Sequence, residues 1–116
     1  MQASATARGV RISARKMRLV IDQIRGKDVN DAYAILQFSK KGAASPIDKV
    51  LRSAVANAVY RADEEGARID VDDLFVLEAF VNEGRTLRRW RARAYGRATP
   101  VLKRSSHVTV VVDSKE

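Results

Sequence analysis

The run GRTLRRWRARAYGRATPVLKR, from Gly84 to Arg104, holds eight basic side chains and no carboxylate. Little in it can enter a core, and its like charges repel one another. A chain containing it must set this segment outside its apolar body, against something anionic. The absence of acids continues to Val112, whereas eight of the fourteen acids fall between Asp63 and Glu83, where Arg68 is the only base. Charge added for solubility alone mixes its signs. The net charge is +8, and arginine outnumbers lysine fifteen to seven. Guanidinium forks hold phosphate in a bidentate way and stack on bases, so the bias favours a nucleic-acid partner.

The remaining sequence reads as one α+β domain. With 116 residues, 46% of them hydrophobic, it can bury a modest core without staples. There is no cysteine, which excludes disulfides and thiolate zinc sites. No apolar run approaches the ~20 residues of a membrane span. MQASATARGVR lacks the apolar segment of a secretory signal, so a soluble intracellular protein is expected. Residues 3–12 read as an extended segment. Ser13 is a helix N-cap, followed by Met17, Val20, Ile21 and Ile24 on one helical face, with Gly26 to end the helix. Asn30 is a second cap candidate, with Ala34, Ile35 and Phe38 as the apolar face of a short helix closed by Gly42. Ser45-Pro46 starts a long central helix that keeps its apolar period from Ile47 to Ala62 and ends at Gly66. Its alanines invite close approach by another element.

Residues 71–82 change to a period of two. Phe75, Leu77, Ala79 and Val81 fall on one face of a strand; Leu74, Val76, Glu78 and Phe80 fall on the other. VTVVV marks another strand. If these two pair antiparallel, the acid-free run between them is a long hairpin turning at Tyr95-Gly96. The expected architecture is a small antiparallel sheet of about three strands, packed by about three helices. The body comprises residues 1–83 and 105–116, and residues 84–104 form a protruding β-hairpin arm that reaches roughly 40 Å at about 3.3 Å per residue. An isolated two-stranded hairpin is marginal in water, so the arm is expected to be ordered by what it binds.

Alternation along the outgoing strand puts Arg85, Arg89, Arg91 and Arg93 on one face, a guanidinium ladder suited to phosphates. Thr86, Arg88, Trp90, Ala92 and Ala94 fall on the other, suited to bases or sugars. Trp90 packs on the hairpin base or stacks on a nucleobase. Arg97, Lys103 and Arg104 add charge beyond the turn. Outside the arm, Arg8, Arg11, Arg15, Lys16, Arg18 and Arg25 are further nucleic-acid candidates, with His107 as a hydrogen-bonding strand residue.

EGRTLRRWRARAYGRATPVLKRSSHVTVVV closely resembles the C-terminal signature of the family of protein twenty-two of the large ribosomal subunit, in its bacterial form. SARKMRLVIDQIRGK resembles that family's first helix and LRSAVANAV its long helix, in the same order. The resemblance implies a structural ribosomal protein, cytoplasmic and not an enzyme. Its partners would be large-subunit rRNA (23S-type), neighbouring ribosomal proteins and, near the hairpin tip, the nascent polypeptide. It implies that Ala94, Tyr95, Gly96, Arg97 and Ala98 line the peptide exit tunnel, and that the protein assists subunit assembly and bears on macrolide response. No cofactor, metal, membrane or homo-oligomer is expected. Two positions depart from the family pattern: Arg85 stands where proline is common, and Tyr95 where a basic residue is common. With its arm among phosphates, the acid-rich stretch Asp63–Glu83 is expected to face away from RNA.

Other chemistry has weaker support. His107 is the only histidine and has no partners at catalytic or ligand spacing. Asp70, Asp72 and Asp73 read as a solvated turn more than a magnesium site. Ser105 and Ser106 beside His107 show no orienting group or oxyanion loop, which leaves a nuclease without support. Tyr33 and Phe38 read as core, and Asn57 as either exposed or a polar contact from the long helix. The alternative function is an architectural DNA-binding protein with a basic β-arm, for which Pro100 is the candidate wedge.

Overall fold

The valines of HVTVVVD alternate with polar or half-exposed residues, and that alternation builds the centre of the sheet. In the computed structural model, which describes residues 2–115, this segment is β5 (Ser106–Ser114), flanked by β1 (Gln2–Val10) and β2 (Leu74–Glu83) in the order β1-β5-β2. Both pairings are antiparallel, with Thr6 opposite Thr109 and Phe80 also opposite Thr109 from the other side. Val108, Val110 and Val112 face the helices and are fully buried. The extended reading of the N-terminal segment is thus an edge strand, and the two C-terminal strands pair as expected.

Three helices cover one face. Helix α1 (Ala14–Ile21) begins at Ser13, whose side chain accepts from the Lys16 amide at 3.4 Å. The regular helix ends before the predicted Gly26, in a series of turns that still buries Ile24. Gly26 then adopts φ 78° and donates its amide to Val76 O at 3.0 Å.

Helix α2 (Val29–Phe38) starts at Asp28, two residues before the predicted cap. Its buried face is Val29, Ala32 and Leu36, with Ile35 partly buried against the core as expected; Ala34 and Phe38 of the expected face are instead exposed, Phe38 at 83%. The helix also ends at Phe38, before Gly42, because Ser39 is extended. Tyr33 is half-buried, with the Arg52 guanidinium 5.2 Å from its ring centre. Burial raises the Tyr33 phenol above its usual pKa, opposed by the Arg52 charge.

Helix α3 (Ala44–Glu64) places Pro46 in its first turn, where the missing amide has no intrahelical partner to lose. At its far end the Ala67 amide donates to Ala62 O and the Gly66 amide to Asp63 O, at 2.9 and 3.1 Å. With Gly66 left-handed, these are the two bonds of a Schellman cap. Ala54, Ala58 and Ala62 are buried, and Ala3, Ala5 and Ala7 of β1 pack against the same core. Small residues on both surfaces let α3 approach β1 closely.

The faces predicted for β2 need correction. Register runs Val76 opposite Val112, then Glu78 opposite Val111, leaving Leu77 as an extra residue in a bulge. The alternation therefore changes phase. Leu74 and Val76 are buried before the bulge, Ala79 and Val81 after it, while Leu77 lies at the surface.

Between β2 and β5 the chain leaves the body as an arm, β3 (Leu87–Ala92) paired antiparallel with β4 (Ala98–Lys103) in a separate two-stranded sheet. The molecule measures 68 × 27 × 16 Å, with a radius of gyration of 17.6 Å. A globular chain of this length has a radius of about 13 Å. No helix among the described residues is long and apolar enough to cross a membrane.

Candidate nucleic-acid interface

Every residue from Arg88 to Pro100 is exposed, so the arm has no core of its own. Cross-strand register defines its two faces. Leu87, Arg89 and Arg91 lie opposite Lys103, Val101 and Thr99 on one side; Arg88, Trp90 and Ala92 lie opposite Leu102, Pro100 and Ala98 on the other. The expected four-arginine ladder is shorter within the strand, because Arg85 precedes β3 and Arg93 begins the tip. Among the described residues, no carboxylate forms an ion pair with an arm cation; the bridges are Arg25–Asp22, Arg52–Asp48 and Lys115–Asp28.

Trp90 stands opposite Pro100 in mid-arm and is 69% exposed, away from the hairpin base. Directly opposed side chains in a ladder lie about 5 Å apart, so the imino ring supports one part of the indole and leaves the rest to solvent. This register also removes Pro100 from the tip, where an architectural wedge would have to sit.

The tip turns at the expected residues. Tyr95 has φ 63° and ψ 30°, followed by Gly96 at φ 70°. Two successive left-handed residues are what a mirror-image hairpin turn requires. Glycine meets this freely, whereas a tyrosine in that region costs about 1 kcal/mol or more. The Tyr95 side chain projects into solvent at 98% exposure. Arg93 N–H donates to Arg97 O at 2.6 Å and closes the loop.

The arm root is held by short polar contacts. Gly84 N–H donates to Ser105 O at 2.9 Å, and the Ser105 hydroxyl donates to Arg85 O at 2.6 Å. His107 Nδ1 accepts from Gly9 N–H at 3.1 Å, at a bulge in β1 where Gly9 is left-handed. His107 thus serves the backbone of its neighbouring strand. Ser106 is fully buried in the body.

The basic residues of the body divide into two groups. Arg18 donates through Nε and Nη2 to Val81 O at 3.2 and 2.8 Å, and Arg25 through the same atoms to Ala79 O at 3.0 and 2.6 Å. Both cover carbonyls on the free edge of β2. At the other sheet edge Asn57 donates to Ser4 O and Arg61 to Gln2 O, at 2.9 and 2.7 Å. These edge contacts were not legible in the sequence, since each joins residues more than fifty positions apart. Arg8, Arg11, Arg15 and Lys16 are exposed or half-exposed. Arg11 and Lys16 share a groove with Lys103 and Arg104 at the arm root, while Arg15 lines a smaller cleft there with Gly84, Thr86 and Glu83.

Charge is separated in space as well as along the chain. Leu74, at the end of β2 opposite Ser114, is about 30 Å from the arm root at strand rise. The turn Val71–Asp73 lies beyond it, capped by Asp70, whose carboxylate accepts from Asp72 N–H at 3.1 Å; Asp72 also accepts from Asn30. The acidic end of α3 is at this end too, where Arg61 reaches Gln2, and the start of α3 lies near the arm. Glu83 is the exception, at the root itself.

Residues 5–113 match the family described as Ribosomal protein L22p/L17e. The chain belongs to this family. It is similar to the large ribosomal subunit protein uL22 of Oceanobacillus iheyensis, with 53% identity across all of this chain and 98% of the relative. The corresponding protein of Ligilactobacillus salivarius is 58% identical over 97% of this chain and 94% of its own length. That of Desulfitobacterium hafniense is 56% identical over 99% and 96%. The bacterial resemblance drawn from the three sequence segments therefore holds along nearly the whole chain, and membership makes this a structural ribosomal protein, not an enzyme.

Proposed function

We propose that this protein is built into the large ribosomal subunit in the cytoplasm and binds large-subunit rRNA through its arm. The observation that carries this reading is an exposed, acid-free hairpin whose cations find no carboxylate partner among the described residues. Such a surface is stable in the company of a polyanion, which releases its counterions on contact. Arg85, Arg88, Arg89, Arg91, Arg93, Arg97, Lys103 and Arg104 supply the phosphate contacts, and Trp90 offers a partly open stacking surface. Arg8, Arg11, Arg15 and Lys16 extend the contact onto the body. Arg18 and Arg25 act from behind by covering the free edge of β2, and His107 by holding the bulge of β1.

The tip, Ala94–Ala98, is proposed to line the nascent-peptide exit tunnel, with Tyr95 presenting a neutral aromatic ring to the passing chain. The length of the arm and the complete exposure of its tip support this placement. Threading a marginal hairpin through folding rRNA would couple its ordering to subunit assembly. The acidic far end of the body is proposed to face away from RNA, toward neighbouring basic proteins.

The test is binding of the purified chain to large-subunit rRNA across a salt series. About six neutralised phosphates give a log–log slope of roughly −4 to −5. In cells, the protein should sediment with large subunits through a high-salt wash. A slope near zero, or release as a free species that bends duplex DNA, would replace this reading with another.

A further inference from the structure

The groove at the arm root is lined in part by apolar side chains that phosphate binding leaves unexplained. It lies between the outer side of α1, the α2–α3 connection and the end of β4, with a volume of about 1090 Å³. Its apolar lining includes Ile12, Leu19 and Leu102, of which Leu19 is 57% and Leu102 46% exposed. Its charged residues are Arg11, Lys16, Lys41, Lys103 and Arg104, and no acid lines it.

We propose that this groove seats unstacked bases of a single-stranded or bulged RNA segment, with the flanking phosphates on its cationic side chains. The inference rests on the rRNA-binding reading and specifies which RNA structure this part of the surface takes. A paired A-form helix presents phosphates and riboses outward and shields its base faces, so it has nothing apolar to set against Leu19 and Leu102. A splayed base has an apolar face for the leucines and a second face on which the Arg11 or Arg104 guanidinium plane can stack. The volume lies just above the range for ligand pockets, about 300–1,000 Å³, enough for more than one base. Charge complementarity selects a polyanion, and the concave shape favours an inserted group over a flat lipid surface.

Two RNAs test this: a stem carrying a purine bulge with 2-aminopurine in it, and the same stem fully paired. The full-length chain should bind the bulged RNA roughly ten-fold more tightly, the scale of one seated base, and should change the 2-aminopurine emission. Leu19→Ser with Leu102→Ser should abolish both the preference and the emission change, while leaving paired-stem affinity and its salt slope as they were. Both leucines are substantially exposed, and an unchanged circular dichroism melt would confirm the fold. Equal affinity for the two RNAs, or a preference that survives the double substitution, overturns this inference alone. Binding of neither RNA overturns the rRNA reading with it. Wild-type binding to anionic phosphatidylserine vesicles that the double variant loses, without a bulge preference, would assign the groove to lipid instead.

Discussion

Gly84 and Ser105 meet across the arm root so closely that a Cβ on Gly84 would lie 2.6 Å from the Ser105 hydroxyl and 3.2 Å from its carbonyl carbon. Swinging the hydroxyl aside would break its bond to Arg85 O. The same imaginary Cβ would also sit 3.2 Å from His107 Cε1. Glycine is favoured here by space, at the point where the arm's direction is set.

Gly84→Ala should therefore displace the Ser105 side chain and cost about 1 kcal/mol, the scale of one hydrogen bond. Combining it with Ser105→Gly should cost less than the sum of the two single changes. Urea denaturation of the three variants measures this. Strict additivity would mean that the two residues do not compete for the same space.

Arg25→Ala should lower stability by about 1–2 kcal/mol. It leaves Ala79 O without the two guanidinium bonds that cover the edge of β2, and bonds from charged donors are stronger than neutral ones. Because this is a role inside the body, paired-RNA affinity at temperatures where the variant is folded should change little. A stable variant with sharply weakened RNA binding would reassign Arg25 to the RNA surface.

Arg91→Glu with Arg93→Glu should weaken rRNA association at least ten-fold and reduce incorporation into subunits, since each change removes a contact and adds repulsion. The melting temperature should be nearly unaffected, as both side chains are exposed. Normal incorporation would show that these two arginines face solvent in the assembled particle.

Deleting Leu87–Val101 should leave the body folded, with helix content and melting behaviour close to those of the full chain. The core holds no residue of the deleted segment. Circular dichroism and near-ultraviolet spectra would decide, and a molten product would show that the arm contributes to the fold.

Sequence alone determined the features that depend on neighbours along the chain. The apolar period of Met17, Val20, Ile21 and Ile24 names a buried helical face, and all four are fully buried. Tyr95-Gly96 marks the turn, and the acid-free, cation-rich run of residues 84–104 predicts a segment that the core cannot accept. Tertiary structure decided what depends on distant partners. The Leu77 bulge reverses the strand's faces because register is set by β5, more than thirty residues away. Phe38 stays outside because α2 is rotated to bury Val29, Ala32 and Leu36. Arg18 and Arg25 read as free cations until folding brings the carbonyls of Val81 and Ala79 beside them. Local patterns fix propensity and charge, whereas the filling of edges, bulges and grooves waits for chain segments that only the folded body brings together.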